Sequence, residues 1–200
     1  MDDPVNTSEF WEACYETQMD NWDIGGPTPV FERLSTEIST GVMCVIGCGR
    51  GYDAVTFAKA GFEVTAIDFA RTAVLSTREK AREENTDMTV LREDIFDLPE
   101  ELYGKFDYVL EYTCFCAINP IRRFEYDRVI WQLLKPGGKL LGLFFPLDKE
   151  VSEGGPPWGV DISELHKLFN LHWDLEIEEM PKESIEPRAD REVLMVWKKK

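Results

Sequence analysis

The sequence predicts an α/β fold: a mostly parallel, seven-stranded sheet with helices on both faces and an antiparallel hairpin at its C-terminal edge. Three observations predict it. From Val42 onward, apolar β-rich runs alternate with amphipathic helical patterns, the signature of parallel strands joined by helices. The runs are almost continuously apolar, as strands buried on both faces are. The last two are separated by a Pro-containing connection rather than a helical pattern, which suits an antiparallel pair.

In chain order, strands are expected at Val42–Ile46, Glu63–Asp68, 88–92, 106–111 and 139–145. Helices are expected at 53–60, 70–84 and 121–134, with Pro136-Gly137-Gly138 closing the last before the next strand. Residues 162–169 read as a helix, and Trp173–Glu179 and 192–197 as the hairpin strands. Ahead of the sheet, Phe10, Trp11, Tyr15 and Trp22 make the segment before Gly25-Gly26-Pro27 more aromatic than a lead-in requires.

A chain of 200 residues with 44% hydrophobic content supports one well-buried core. A single domain is therefore expected over 1–200, with 1–38 as an aromatic arm and 39–200 as the core. The net charge of −16, from 38 acidic against 22 basic residues, argues against nucleic acid or an anionic membrane as partner, since both need clustered cations. A small-molecule substrate and a monomer are expected, and Lys198-Lys199-Lys200 reads as a solvated tail. Met1-Asp2-Asp3-Pro4 opens with neither a basic nor an apolar signal region, and no apolar run is long enough to cross a bilayer. Five cysteines without metal-type spacing suit free thiols in a reducing cytoplasm and predict no metal site.

The strand ending at Ile46 runs into Gly47-Cys48-Gly49-Arg50-Gly51, so a glycine-rich turn falls at the carboxyl edge of the sheet, where ligands bind. Tyr52 stands where a dinucleotide fingerprint has its third glycine, which disfavours a pyrophosphate. Asp68 ends the second strand, where a carboxylate accepts from both ribose hydroxyls. Asp94, beside Ile95 and Phe96, suits an adenine: the carboxylate takes the exocyclic amine and the apolar groups cover the ring. Each feature has a plainer reading as a tight turn, a helix cap and a turn residue. Their joint placement at three successive strand ends favours a nucleoside cofactor, with a nicotinamide oxidoreductase as the competing enzyme class.

Gly47 to Asp53, Asp68, Asp94 and Pro136-Gly137-Gly138 together resemble the Rossmann-like class I S-adenosylmethionine-dependent methyltransferases. The arm, from Phe10-Trp11-Glu12 through Asn21-Trp22-Asp23 to Gly26-Pro27-Thr28-Pro29, resembles the thiopurine methyltransferase family, especially its halide and thiol methyltransferase branch. Glu111 to Pro120 is similar to that branch's segment after the fourth strand, and Gly154-Gly155-Pro156-Pro157-Trp158 to its later substrate-side loop. The resemblance implies S-adenosylmethionine as cofactor, touched by Trp11 and Trp22, with Gly47, Cys48 and Gly49 at its methionine portion, Asp68 at its ribose and Asp94 and Ile95 at its adenine. It places Tyr112 beside the transferred methyl as the catalytic contact, and Phe115, Cys116 and Trp158 around the acceptor. The arm departs from the pattern at Tyr15, where plant relatives have Trp, and over 17–21, which lacks the usual Thr-Pro. Its lid is expected to close differently.

A sulfonium is a soft cation that aromatic faces stabilise, and a thiolate, bisulfide or halide acceptor needs no general base. In-line displacement then rests on positioning and desolvation. His166 and His172, the only histidines, fall late in the chain and neither reads as a base. Cys114 and Cys116 read as strand-end side chains, and Arg122 and Arg123 as exposed at a helix start. A non-catalytic cofactor-binding protein is the third reading.

Overall fold

The computed structural model describes residues 3–200; Met1 and Asp2, which open the segment read above for a targeting signal, lie outside the described residues. The chain divides into two compact units, Met1–Leu98 and Pro99–Lys200.

Unit 1 holds β1 (Val42–Ile46), β2 (Glu63–Asp68) and β3 (Thr89–Arg92), with helices α1 (Ser8–Glu16), α2 (Pro29–Glu37), α3 (Tyr52–Lys59) and α4 (Arg71–Glu83). The strands are parallel, and β2 lies between the others, with Ile46 opposite Ile67 and Asp68 opposite Arg92. This register brings the carboxyl ends of all three strands to one edge. Met43, Cys44, Ala66, Ile67, Phe31 and Phe57 have essentially no solvent exposure. Burial of an Ile or Phe side chain of this kind contributes roughly 1.5–3 kcal/mol. Pro29 opens α2 at a position whose N–H would have no helical partner.

Unit 2 holds β4 (Phe106–Tyr112), α5 (Arg123–Leu133), β5 (Leu134–Phe144), α6 (Ile162–Leu168), β6 (Trp173–Glu179) and β7 (Val193–Lys199). β4 and β5 are parallel, and β7 runs antiparallel to both β5 and β6. The final strand is thus inserted between β5 and β6, which sharpens the expected hairpin. Asp161 caps α6 by accepting the Glu164 N–H at 3.1 Å. Three strands here are parallel in unit 1 and four are mixed in unit 2, giving the seven-stranded α/β class expected. No described helix is long and apolar enough to cross a membrane.

Three expectations are corrected. Pro136-Gly137-Gly138 does not separate α5 from the next strand: β5 begins at Leu134 directly after the helix, and the register against β4 shifts between Phe106 and Tyr108. A bulged strand start tolerates Pro and Gly where regular pairing would not. Lys198 and Lys199 are not a solvated tail but belong to β7, and the Lys199 ammonium is buried, donating to the carbonyls of Trp131 and Leu134 at 2.6 and 2.7 Å. It satisfies carbonyls left without helical partners at the end of α5. Arg123, expected to be exposed, is buried, because its guanidinium packs over the Phe115 ring at 4.6 Å and donates to the Gly159 carbonyl at 2.9 Å.

Gly51 precedes α3 in the left-handed region at φ 79°, and a Cβ there would lie 2.7 Å from the Thr77 hydroxyl oxygen and 2.9 Å from the Thr77 Cα. Conformation and space therefore both demand glycine. Gly51→Ala should destabilise the protein by about 2 kcal/mol or more. In chemical denaturation, Gly104→Ala, at φ 65° with no neighbour within 4 Å, should cost about half as much. Equal losses would show that the Thr77 contact carries nothing.

Candidate active site

In unit 1 the chain leaves β1 through Gly47 and Gly49, both at φ 55°. The turn is held by Asp68, at the end of the neighbouring strand: one carboxylate oxygen accepts the Gly49 N–H at 3.0 Å and the other the Ala70 N–H at 2.9 Å. Burial pushes the Asp68 carboxyl up to about 6, although these amide donors oppose the shift. The Phe69 amide lowers it as well, and a carboxylate's two oxygens offer about four lone-pair sites for these three donors. Thr77, on α4, closes the turn from the other side by donating to the Gly49 carbonyl at 2.9 Å. The Cys48 thiol lies 3.6 Å from the same hydroxyl and is raised well above the ordinary thiol range by burial and by Asp68. A thiol kept protonated in this way is a poor nucleophile.

The aromatic arm lies over this turn. Trp11 and Trp22 meet edge to face with centroids 5.4 Å apart, as do Tyr15 and Trp22 at 5.4 Å. The half-buried tryptophans pack against Tyr15, Ala70 and Ala73, and the Trp11 indole N–H donates to the Val5 carbonyl at 2.8 Å. Tyr15 is buried; burial and the nearby Asp68 keep its phenol protonated far above the usual range. A Cβ on Gly49 would come within 3.5 Å of the Tyr15 hydroxyl oxygen. Glu12 ties α1 to the start of α4, accepting the Thr72 N–H at 3.0 Å and the Thr72 hydroxyl at 2.6 Å. Asp94 forms the turn read as its plainer alternative, accepting the Phe96 N–H at 2.9 Å, with Ile95 and Phe96 half-buried beside it. The unit thus collects at one edge a glycine turn, two carboxylates and a cluster of aromatic faces. A nucleoside carrying a sulfonium fits that set.

In unit 2, Tyr112 ends β4 and donates its hydroxyl to Glu192 at 2.9 Å. The buried guanidinium of Arg188 stacks over the rings of Tyr112 and Phe145, 4.8 Å from each centroid. Burial raises the Tyr112 phenol far above its usual range, so Tyr112 remains a donor rather than a base. The next residue, Thr113, is β-branched yet sits at φ 59°, a conformation that persists only when its surroundings enforce it. Glu111 supplies the enforcement. One of its oxygens accepts the Phe115 N–H at 2.8 Å and the other the Tyr126 hydroxyl at 2.8 Å. Burial pushes the Glu111 carboxyl up to about 7 against these donors.

Cys116 and Trp158 are brought together, the Trp158 backbone N–H donating to the Cys116 carbonyl at 2.8 Å, and Phe115 directly precedes Cys116. All three are buried. Phe115 spends its ring edges on Tyr126 and Phe144, at 5.2 and 5.4 Å. Burial lifts the Cys116 thiol to about 12. His166 faces Glu178 at 2.7 Å on a half-exposed surface, and His172 lies near Trp131. Sequence reasoning missed Arg188, which ends a short 3-10 turn, and Glu192, which immediately precedes β7. It also missed Thr77, Asp20, Asp23 and the pairing of Arg50. Asp23 and Arg50 lie in motifs read for other reasons, and what the local sequence did not show is the partner that each of these residues meets far away in the chain.

A sequence model of the family described as Thiopurine S-methyltransferase matches residues 6–199. The chain is 38% identical over 200 residues to the "Probable thiol methyltransferase 2" of Arabidopsis thaliana, covering 97% of this chain and 86% of that protein. It is 33% identical over 196 residues to the "Thiocyanate methyltransferase 1" of the same plant, covering 94% and 84%. Among solved structures, it resembles a Burkholderia thailandensis 1,6-didemethyltoxoflavin-N1-methyltransferase with bound S-adenosylhomocysteine, at TM-score 0.74 and 19% identity over 100% of this chain and 91% of that one. That likeness shows the fold.

Glu111 makes stability depend on pH in an unusual direction. Its carboxyl rises from 4.5 to about 7 on folding, so the native state holds the proton more tightly than the unfolded chain. The stabilisation is full below the unfolded value and is lost as the pH rises through about 7. Relative to Glu111→Gln, which cannot ionise, the wild type should therefore lose stability between about pH 4.5 and 7, by an amount on the order of 3 kcal/mol. Denaturant titrations at stepped pH measure the difference; parallel curves would refute it.

Proposed function

The chain belongs to the thiopurine S-methyltransferase family and is an S-adenosylmethionine-dependent methyltransferase, and from that footing we propose that it methylates a small soft nucleophile by in-line displacement: a thiol, bisulfide, a halide or a thiopurine. The observation that carries the acceptor class is Arg188, a buried cation stacked on the Tyr112 and Phe145 rings. A guanidinium is weakly hydrated and, held among aromatic faces, attracts a polarizable anion while stripping its water. The relatives named for thiol and thiocyanate methylation support the same class.

When bound, the cofactor supplies an electrophilic methyl on a positively charged sulfur. In this reading the backbone of Gly47, Cys48 and Gly49 holds the methionine portion, Asp68 accepts from the ribose hydroxyls, and Asp94 with Ile95 receives the adenine. Trp11 and Trp22 present aromatic faces to the cation. Tyr112 takes the catalytic contact beside the methyl that the family resemblance gives it, oriented by Glu192 and Arg188, while Phe115, Cys116 and Trp158 shape the acceptor side. No proton has to be taken from a nucleophile that arrives ionised. Neither histidine is asked to act, and the protonated Tyr112 and Cys116 do not compete with the acceptor for the methyl.

Residues 1–200 are read as one monomeric methyltransferase domain, 1–38 serving as its arm. The five cysteines, all free thiols, suit a reducing cytoplasm.

Two measurements test the reading. Supplied with S-adenosylmethionine and a panel of iodide, bisulfide and small thiols, the protein should release methyl iodide, methanethiol or thioethers into the headspace, and Arg188→Gln should raise the acceptor KM about tenfold or more with cofactor affinity unchanged. Silence across the panel would remove the acceptor class. Trp22→Ala should weaken S-adenosylhomocysteine binding about tenfold while the melting temperature moves little; a large thermal loss at unchanged affinity would make Trp22 a core residue only.

A further inference from the structure

Arg50 lies inside the glycine turn yet turns its side chain back onto the arm. Its Nε lies 2.9 Å from Asp20 Oδ2 and 2.8 Å from Asp23 Oδ2, and its Nη2 also pairs with Asp20. The guanidinium sits 5.5 Å from the centroid of the Tyr15 ring. Both aspartates flank the Trp22 stretch: Asp20 is two residues before it and Asp23 immediately follows. Asp23 also folds its own segment by accepting the Gly25 N–H at 2.8 Å. The side chains are largely withdrawn from water, with 30% exposure at Arg50, 9% at Asp20 and 21% at Asp23, so their attraction is screened less than that of a surface pair. Glu12 on Thr72 and the bonds from the Thr28 N–H and hydroxyl to Asp53 at 2.7 and 2.9 Å also fasten the arm to the rest of unit 1. Glu12 anchors the start of the arm and Thr28 its end. Arg50 holds the middle, the stretch carrying Trp22.

We propose that Arg50 is a positioning residue for the cofactor: its ion pairs with Asp20 and Asp23 latch the Trp22 segment over the glycine turn, so that cofactor release requires the latch to open. The inference rests on the reading that this turn binds S-adenosylmethionine. A latched arm keeps the binding-competent conformation populated, and an unlatched one divides the affinity by the fraction that remains competent.

The alternative is that Arg50 binds the cofactor directly and the aspartates merely hold it in reserve. Titration calorimetry with S-adenosylhomocysteine separates the two, using wild type, Arg50→Gln, the double variant Asp20→Asn/Asp23→Asn, and all three changes combined. The latch predicts that Arg50→Gln and the aspartate double variant each weaken binding about tenfold. It also predicts that the triple variant is no worse than either, and that raising salt weakens the wild type but not the variants. Tighter binding by the aspartate variant, additive losses, or wild-type affinity in Arg50→Gln would overturn it. Arg50→Lys, which keeps one ion pair at a time, should fall between wild type and Arg50→Gln, and thermal melts of the apo proteins show whether any loss is one of folding. Failure of the wild type itself to bind S-adenosylhomocysteine would overturn the cofactor reading and the latch with it.

Discussion

The buried carboxylate of Asp68 is the constraint from which the arrangement of unit 1 follows. Withdrawing a carboxylate from water is costly unless donors meet it, and here the donors are the amides of Gly49 and Ala70. Those two bonds bend the chain leaving β1 toward the end of β2 and start α4 on the far side. The bend requires left-handed backbone at Gly47, Gly49 and Gly51, and Thr77 then fills the space that a side chain at Gly51 would need. The charge also sets the chemistry of its neighbours: with burial, it keeps Tyr15 and Cys48 protonated. A surface of neutral donors, aromatic faces and spare carboxylate lone pairs is what remains.

Unit 2 repeats the device with different parts. Glu111, next to last in β4, stands to the loop that follows as Asp68 stands to the glycine turn. It accepts an amide from that loop and a hydroxyl from α5, and the strained Thr113 lies between. In both units an acid at the carboxyl end of a parallel strand is buried to organise the irregular backbone beyond it. Strand ends in parallel sheets are where backbone must become irregular to meet a ligand, so a buried acceptor there stabilises a loop that helix or sheet bonding cannot. The cost appears in both raised carboxyl values. Arg188 is the converse, a buried cation that aromatic rings surround.

Much of this was legible before any coordinates. Strand positions followed from apolar runs, and β1, β2 and β6 begin and end where the pattern placed them. Errors gathered where a local signal had two meanings. Pro136-Gly137-Gly138 reads as a break, yet glycine and proline also start a bulged strand, and pairing with β4 decided between them. Three terminal lysines read as a tail because charge usually means solvent, yet the carbonyls ending α5 needed a donor and Lys199 meets them. Arg123 was misplaced for the same reason.

What the sequence determined by itself is the order of strands and helices, the glycine turn at a strand end, the acids at positions 68 and 94, and a likeness specific enough to indicate a methyl donor. These are local features, each set by a few adjacent residues whose backbone preferences and periodicity can be read directly. What only the tertiary structure decided is the set of partners: Arg50 with Asp20 and Asp23, Thr77 with the glycine turn, Arg188 and Glu192 with Tyr112. Such pairs join residues about 25 to 80 positions apart through side chains. They leave no local trace because a charge in an isolated segment is satisfied by water, and it acquires a partner only when folding removes the water and brings the partner within reach.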